Sequence, residues 1–157
     1  MKKHKLDIQY EYDFALIGIC CNEKEYRLCW SLNTQLGLEL QKVENLFITN
    51  SEINFAEFSM FAFEKEAEFT AYYLLKNEGF RIKPTDINFL QQTSIPISEP
   101  LKEWLIPEEK QCDYLLMLKG EFLNSEKILS EILEINLVTT AYRIDTMKLK
   151  SKQNLLF

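Results

Sequence analysis

Tyr114, Leu115, Leu116, Met117 and Leu118 form an apolar run without a polar break, closed by Lys119 and Gly120. A run that short and that apolar suits a central strand covered on both sides. Any fold for this chain must therefore place a layer of structure on each side of this strand. The approach to it is a turn. Pro107 lacks a backbone donor and biases Ile106 toward an extended conformation. Glu108 to Gln111 and Asp113 follow, interrupted only by Cys112.

The middle of the chain repeats the two-sided pattern. Phe55 to Phe63 and Phe69 to Leu75 read as two strands, with Glu64 to Ala67 as the hairpin connection. Phe61, Phe63, Phe69, Tyr73 and Leu75 sit at odd positions; Phe58, Met60, Tyr72 and Leu74 sit at even ones. Alternation assigns the two sets to opposite faces, both largely apolar. Asn77-Glu78-Gly79 then reads as a closing turn. From Phe80 to Leu105 the pattern is poor, and Pro84, Pro96 and Pro100 argue against regular central structure.

Elsewhere the periodicity is clearer. Leu6 to Leu16 alternates strictly and predicts a half-buried strand, or two short ones with a bend near Asp13. Asn22 is expected to cap a helix over Glu23–Leu36, with Tyr26, Cys29, Leu32 and Leu36 at helical spacing and Gly37 as its stop. Leu38 to Ile48 is expected to contain a weakly patterned strand. Asn124 is expected to cap a second helix near Ser125–Glu134, with Ile128, Leu129, Ile132 and Leu133 inward. Leu137 to Tyr142 reads as a strand, and Asp145 as the cap of a last helical turn. Leu155, Leu156 and Phe157 are too apolar to stay in water, so they are expected to dock. The whole predicts an α+β fold: one domain over residues 1–157, a mainly antiparallel sheet of about five to six strands, two helices on one face, and an irregular connection at about 80–105. Two helices cover one face only. The other must meet that connection, the C-terminal residues or another molecule.

Charge and composition exclude several functions. Net charge is −6, against nucleic acid, whose phosphates call for clustered Lys and Arg. Lys2, Lys3 and Lys5 are followed by Asp7, Gln9, Glu11 and Asp13 rather than an apolar core, so no secretory signal is read and a cytoplasmic location is expected. Phe14 to Cys21 is too short to span a bilayer. The single histidine, His4, is badly placed to serve as a base or to anchor a metal. Cys20, Cys21, Cys29 and Cys112 match no zinc spacing and are expected to be reduced thiols. Gly18, Gly37, Gly79 and Gly120 stand alone, so the glycine-rich phosphate loops are absent. No cofactor, no metal and no catalytic residue is expected.

Two sets of residues remain as candidates. Arg27 and Trp30 on the first helix, with Asn33 at the same spacing, could frame a small pocket, with Asp113 as a further polar group. The alternative is that Trp30 packs in the core while Arg27 pairs with an acidic neighbour. Glu108, Glu109 and Asp113 could form a carboxylate cluster, or Glu108 and Asp113 could tie down a turn by accepting from backbone amides. The second set is the hairpin. Phe58, Phe61, Phe63 and Tyr72 are expected to anchor a homodimer or a protein partner, since central aromatics dominate binding where they are dry.

Ile106-Pro107-Glu108 with Asp113-Tyr114 resembles the motif of the uncharacterised bacterial IPExxxDY family. Tyr12 to Asn33 and Thr140 to Phe157 also resemble that family. Four residues separate Glu108 from Asp113, where the family's motif has three. The resemblance implies a bacterial cytoplasmic protein and supplies no catalytic residue. The expected function is a non-enzymatic interaction or regulatory protein; the alternative is a small-ligand binder or enzyme using carboxylate, Tyr and Arg groups.

Overall fold

The structure, a computed structural model, describes residues 13–49, 55–82 and 101–157. Among these residues it is an α+β fold with two helices and ten strands in two antiparallel sheets. The strands are β1 (Phe14–Cys20), β2 (Gln41–Lys42), β3 (Leu46–Thr49), β4 (Phe55–Phe58), β5 (Met60–Lys65), β6 (Thr70–Lys76), β7 (Glu78–Ile82), β8 (Lys102–Trp104), β9 (Tyr114–Lys119) and β10 (Thr140–Ile144). The helices are α1 (Glu25–Leu36) and α2 (Ser125–Leu133). The larger sheet has the order β10-β1-β9-β6-β5-β2; the smaller has the order β3-β4-β7-β8.

Strand β9 lies inside the larger sheet, paired with β1 on one side and β6 on the other. All five residues of its apolar run are buried. Tyr114, Leu116 and Leu118 face the helix layer with Ile17, Ile19, Leu28, Leu32 and Ile132. Leu115 and Met117 face the opposite way, onto Leu16, Phe58, Leu75, Leu105, Ile106, Leu149 and Leu155. Each fully buried aliphatic side chain contributes about 1.5–3 kcal/mol of transfer free energy. The sheet therefore divides the protein into two cores that share one wall.

The second face is covered by the smaller sheet, by Leu105 and Ile106, and by a C-terminal segment that seats Leu149 and Leu155. The sequence predicts no second sheet, because it reads Phe55–Phe63 as one strand, ends the next at Leu75 and makes Asn77–Gly79 a turn. In the structure both stretches leave one sheet for the other. Ser59 separates β4 from β5, and Asn77 separates β6 from β7. The two breaks lie opposite one another, with the Lys76 amide donating to the Ser59 carbonyl at 3.0 Å. Glu78 and Gly79 belong to a strand and not to a turn. Gly79 is required there: a Cβ would lie 2.2 Å from the Glu57 carbonyl oxygen and 2.6 Å from the Phe58 ring.

Hairpin register corrects the assignment of faces. Phe61 pairs with Leu74 and Phe63 with Tyr72, so odd positions on β5 oppose even positions on β6. Residues directly opposite share a face. Phe61 and Phe63 thus join Tyr72 and Leu74 on the helix side, while Met60 joins Tyr73 and Leu75 on the other. The turn is a 3-10 segment, Glu66–Glu68, followed by Phe69 in a left-handed conformation and exposed to solvent. Phe69 therefore lies outside both cores.

Helix ends are partly as expected. Gly37 closes α1 at φ 64°, with its amide on the Asn33 carbonyl. The residue before α1 is Lys24, without a side-chain cap, so Asn22 does not cap it. Asn124 caps α2 by accepting from the Lys127 amide, and Asp145 caps a 3-10 turn by accepting from the Met147 amide. The expected strand at Leu137–Tyr142 lies at Thr140–Ile144. Residues Leu6–Tyr12, His4, the Asn50–Ser51 turn and most of the 80–105 connection lie outside the described residues. No helix among the described residues is long and apolar enough to cross a membrane.

Candidate functional site

The loop from Leu105 to Asp113 is clamped from inside the protein by the Asn77 side chain, while Asn154 Nδ2 donates to the Leu105 carbonyl at 2.9 Å. Asn77 is fully buried. Its Nδ2 donates to the carbonyls of Glu109 (2.8 Å) and Cys112 (3.1 Å), and its Oδ1 accepts from the Ile106 amide at 2.9 Å. Its own amide donates to the Asp113 carbonyl, and its carbonyl accepts from the Leu105 amide. A buried polar group is tolerated only when its bonds are made, and here every one is spent on fixing the loop.

The loop's carboxylates are also committed. Asp113 Oδ2 accepts from the Cys21 amide at 2.8 Å, at the end of β1. Glu108 Oε1 accepts from the Ser151 amide at 2.7 Å. Burial alone would raise the Glu108 pKa, but backbone amides, including those of Ser151 and Lys150, outweigh it and hold the carboxyl below its usual range. Glu109 Oε2 accepts from the Tyr142 hydroxyl (2.8 Å) and from Gln111 (2.7 Å). Both Glu108 and Asp113 thus accept from backbone amides: Glu108 from its own amide, within the turn, and from Ser151, and Asp113 from Cys21. Asp113 is far from being a free pocket group.

All four cysteines are free thiols. Burial pushes Cys29 up to about 11 and Cys112 up to about 12, and raises Cys20 and Cys21 as well, so none is primed as a thiolate nucleophile. Tyr114 and Tyr142 are likewise pushed up, chiefly by burial. Among the described residues no group of three or more His, Cys, Asp or Glu gathers in a way that could hold a metal ion.

The hairpin residues sit inside the protein. Phe58, Phe61 and Tyr72 are buried, and Phe63 is half-buried against Tyr72 with ring centroids 6.2 Å apart. Helices cover one side and the smaller sheet the other. These four are core residues of the folded chain rather than an exposed patch.

A different surface is left open. Leu28, Cys29 and Leu32 form the inward stripe of α1, which turns Tyr26 and Trp30 outward. Tyr26 is 61% and Trp30 70% exposed. They stand one turn apart and share a face of the helix. Beside them the residues after α2 run past α1, tied by Gln35 Nε2 donating to Glu134 Oε2 at 3.2 Å. Between the two lies an open cleft of about 730 Å³, lined by Tyr26, Arg27, Trp30 and Ser31 on one side and by Asn136 and Leu137 on the other. The cleft brings Arg27 and Trp30 together; Asp113 is not part of it. Arg27 is paired with Glu23 at 2.6 Å, and Asn33 turns away to bind Leu40 through both amide atoms.

Of this cleft the sequence pointed only to Arg27 and Trp30; Tyr26, Asn136 and Leu137 are among the members it did not reveal. The i, i+4 spacing of Tyr26 and Trp30 was the available signal, but Tyr26 also fits the stripe through Cys29 and Leu32.

No family model, no curated protein and no solved structure matches this chain.

Proposed function

We propose that this chain is a non-catalytic docking protein whose recognition surface is the outer face of α1 with the residues after α2. The observation that carries this reading is the outward pair Tyr26 and Trp30 beside an open cleft. Large aromatics left in water are a cost unless something covers them, and Trp and Tyr are enriched among residues that dominate binding. The committed carboxylates and the raised thiols further support a non-enzymatic role. The likeness of Ile106-Pro107-Glu108 and Asp113-Tyr114 to the IPExxxDY family fits the same proposal, which places the protein in a bacterial cytoplasm. The partner is a protein, either different or a second copy.

Photo-crosslinking tests this. With benzoylphenylalanine at position 30 of the full chain, irradiation in native lysate is expected to give one discrete adduct, absent when the probe replaces Glu66 in the β5–β6 turn, outside the cleft. The adduct's mass, with light scattering of the purified protein, separates a second copy from another protein. Equal labelling at both positions, or none at position 30, overturns the reading.

A further inference from the structure

Resting on that docking reading, we infer that the α1 cleft takes an extended, proline-rich segment of polyproline II conformation with a flanking Lys or Arg. The lining supplies donors that no other described residue takes. Among the described residues, no other group of the protein bonds the Tyr26 hydroxyl, the Trp30 indole N–H or the Ser31 hydroxyl, and the Tyr26 and Trp30 rings are exposed. A ligand that fits must therefore bring free carbonyl oxygens and apolar surface together.

Backbone geometry narrows the class. An α-helical ligand spends its carbonyls internally and wants a continuous apolar groove. This lining interrupts its apolar groups with Ser31, Thr34, Gln35 and Asn136. An added β-strand needs an open sheet edge, and here the wall is a helix. A polyproline II segment makes no internal hydrogen bonds, keeps its carbonyls free every residue, and presents flat pyrrolidine rings that pack on aromatic faces. It is also stiff before binding, so less ordering entropy is lost.

Charge sets the flank. The one cation of the lining, Arg27, is already neutralised by Glu23 at 2.6 Å. Among the described residues, the anion, Glu134, has only the neutral Gln35 as its partner. The cleft therefore favours a basic residue beside the prolines, an attraction that salt screens.

The test is a titration of the full ¹⁵N-labelled chain with two peptides, one of consecutive prolines flanked by lysines and one of Gly and Ser with the same lysines. The indole N–H of Trp104 serves as internal reference. The proline peptide is expected to shift the Trp30 indole and the Tyr26 amide. Binding should weaken at high salt, and Trp30→Ala should lower affinity at least about tenfold, as a central anchor does, with the rest of the spectrum unchanged. Tyr26→Phe, which keeps the ring and removes only the donor, should weaken it less. No shift at Trp30 up to about 1 mM peptide, or an equal shift with the Gly-Ser peptide, overturns the inference. A position-30 adduct in lysate alongside an inert proline peptide removes the ligand class and leaves the docking surface standing; loss of both removes both.

Discussion

Asn77 fixes the Leu105–Asp113 loop from inside the protein, with two donated and one accepted side-chain bond. Asn77→Asp keeps the size and removes the donors, setting a carboxylate oxygen against the carbonyls of Glu109 and Cys112. Leaving buried groups unpaired costs about 1–3 kcal/mol each, so a loss of about 3 kcal/mol in urea unfolding is expected; a loss under about 1 kcal/mol would show the clamp to be dispensable. Glu108 makes a pH-dependent contribution. Its carboxyl is held below the usual range in the folded chain. Stability from that group is therefore fully present above the unfolded carboxylate pKa, about 4.3, and is lost as pH falls through the lower folded value. Glu108 is exposed, so solvent screens the effect and it is small. The difference in unfolding midpoint between the parent chain and Glu108→Gln should be present at pH 7 and vanish toward pH 3. A difference that persists at pH 3 would assign it to packing.

At the level of elements, the crossing from one sheet to the other depends on close approach of β7 to β4. Gly79→Ala places a methyl group against the Glu57 carbonyl and the Phe58 ring. Relief requires the strands to part, so a loss of about 3 kcal/mol is expected from overpacking, read as a lowered thermal midpoint, with Gly37→Ala as a milder control at a site where a Cβ meets nothing. Much of this layout was legible in the sequence. The unbroken run at Tyr114–Leu118 marked the central strand, Asn124 and Gly37 marked helix ends, and the α+β class followed. The second sheet was not legible, because Phe55–Phe63 carries its break at a single Ser59 with no glycine or proline to announce it. The cross-strand parity of β5 and β6 was hidden for a related reason: it is set by the 3-10 turn at Glu66–Glu68, and composition does not reveal how many residues such a turn consumes. Arg27 and Trp30 were legible as a pair on α1, whereas their facing wall after α2 depends on tertiary placement.

For the molecule as a whole, one sheet serves two cores, so neither persists once its shared wall is lost. Unfolding followed through Trp30 in a Trp104→Phe background and through Trp104 in a Trp30→Phe background should give coincident midpoints, the mark of one cooperative transition; midpoints that differ would mean that the two sides melt separately. The placement of β9 also has a consequence for how the protein is made. Its two neighbours in the sheet, β1 and β6, both precede it in the chain. At about 5–20 residues per second, the stretch between β1 and β9 takes roughly 5 to 20 s to leave the ribosome. Through that interval β1 and the β5–β6 hairpin are synthesised without the strand that joins them, their edges open and their apolar faces uncovered, a template for unwanted pairing. The nascent chain is thus expected to be a client of holding chaperones until Lys119 has emerged. In a chaperone-depleted translation system, chains stopped at Lys110 should pellet, while full-length chains released from the ribosome should stay in solution.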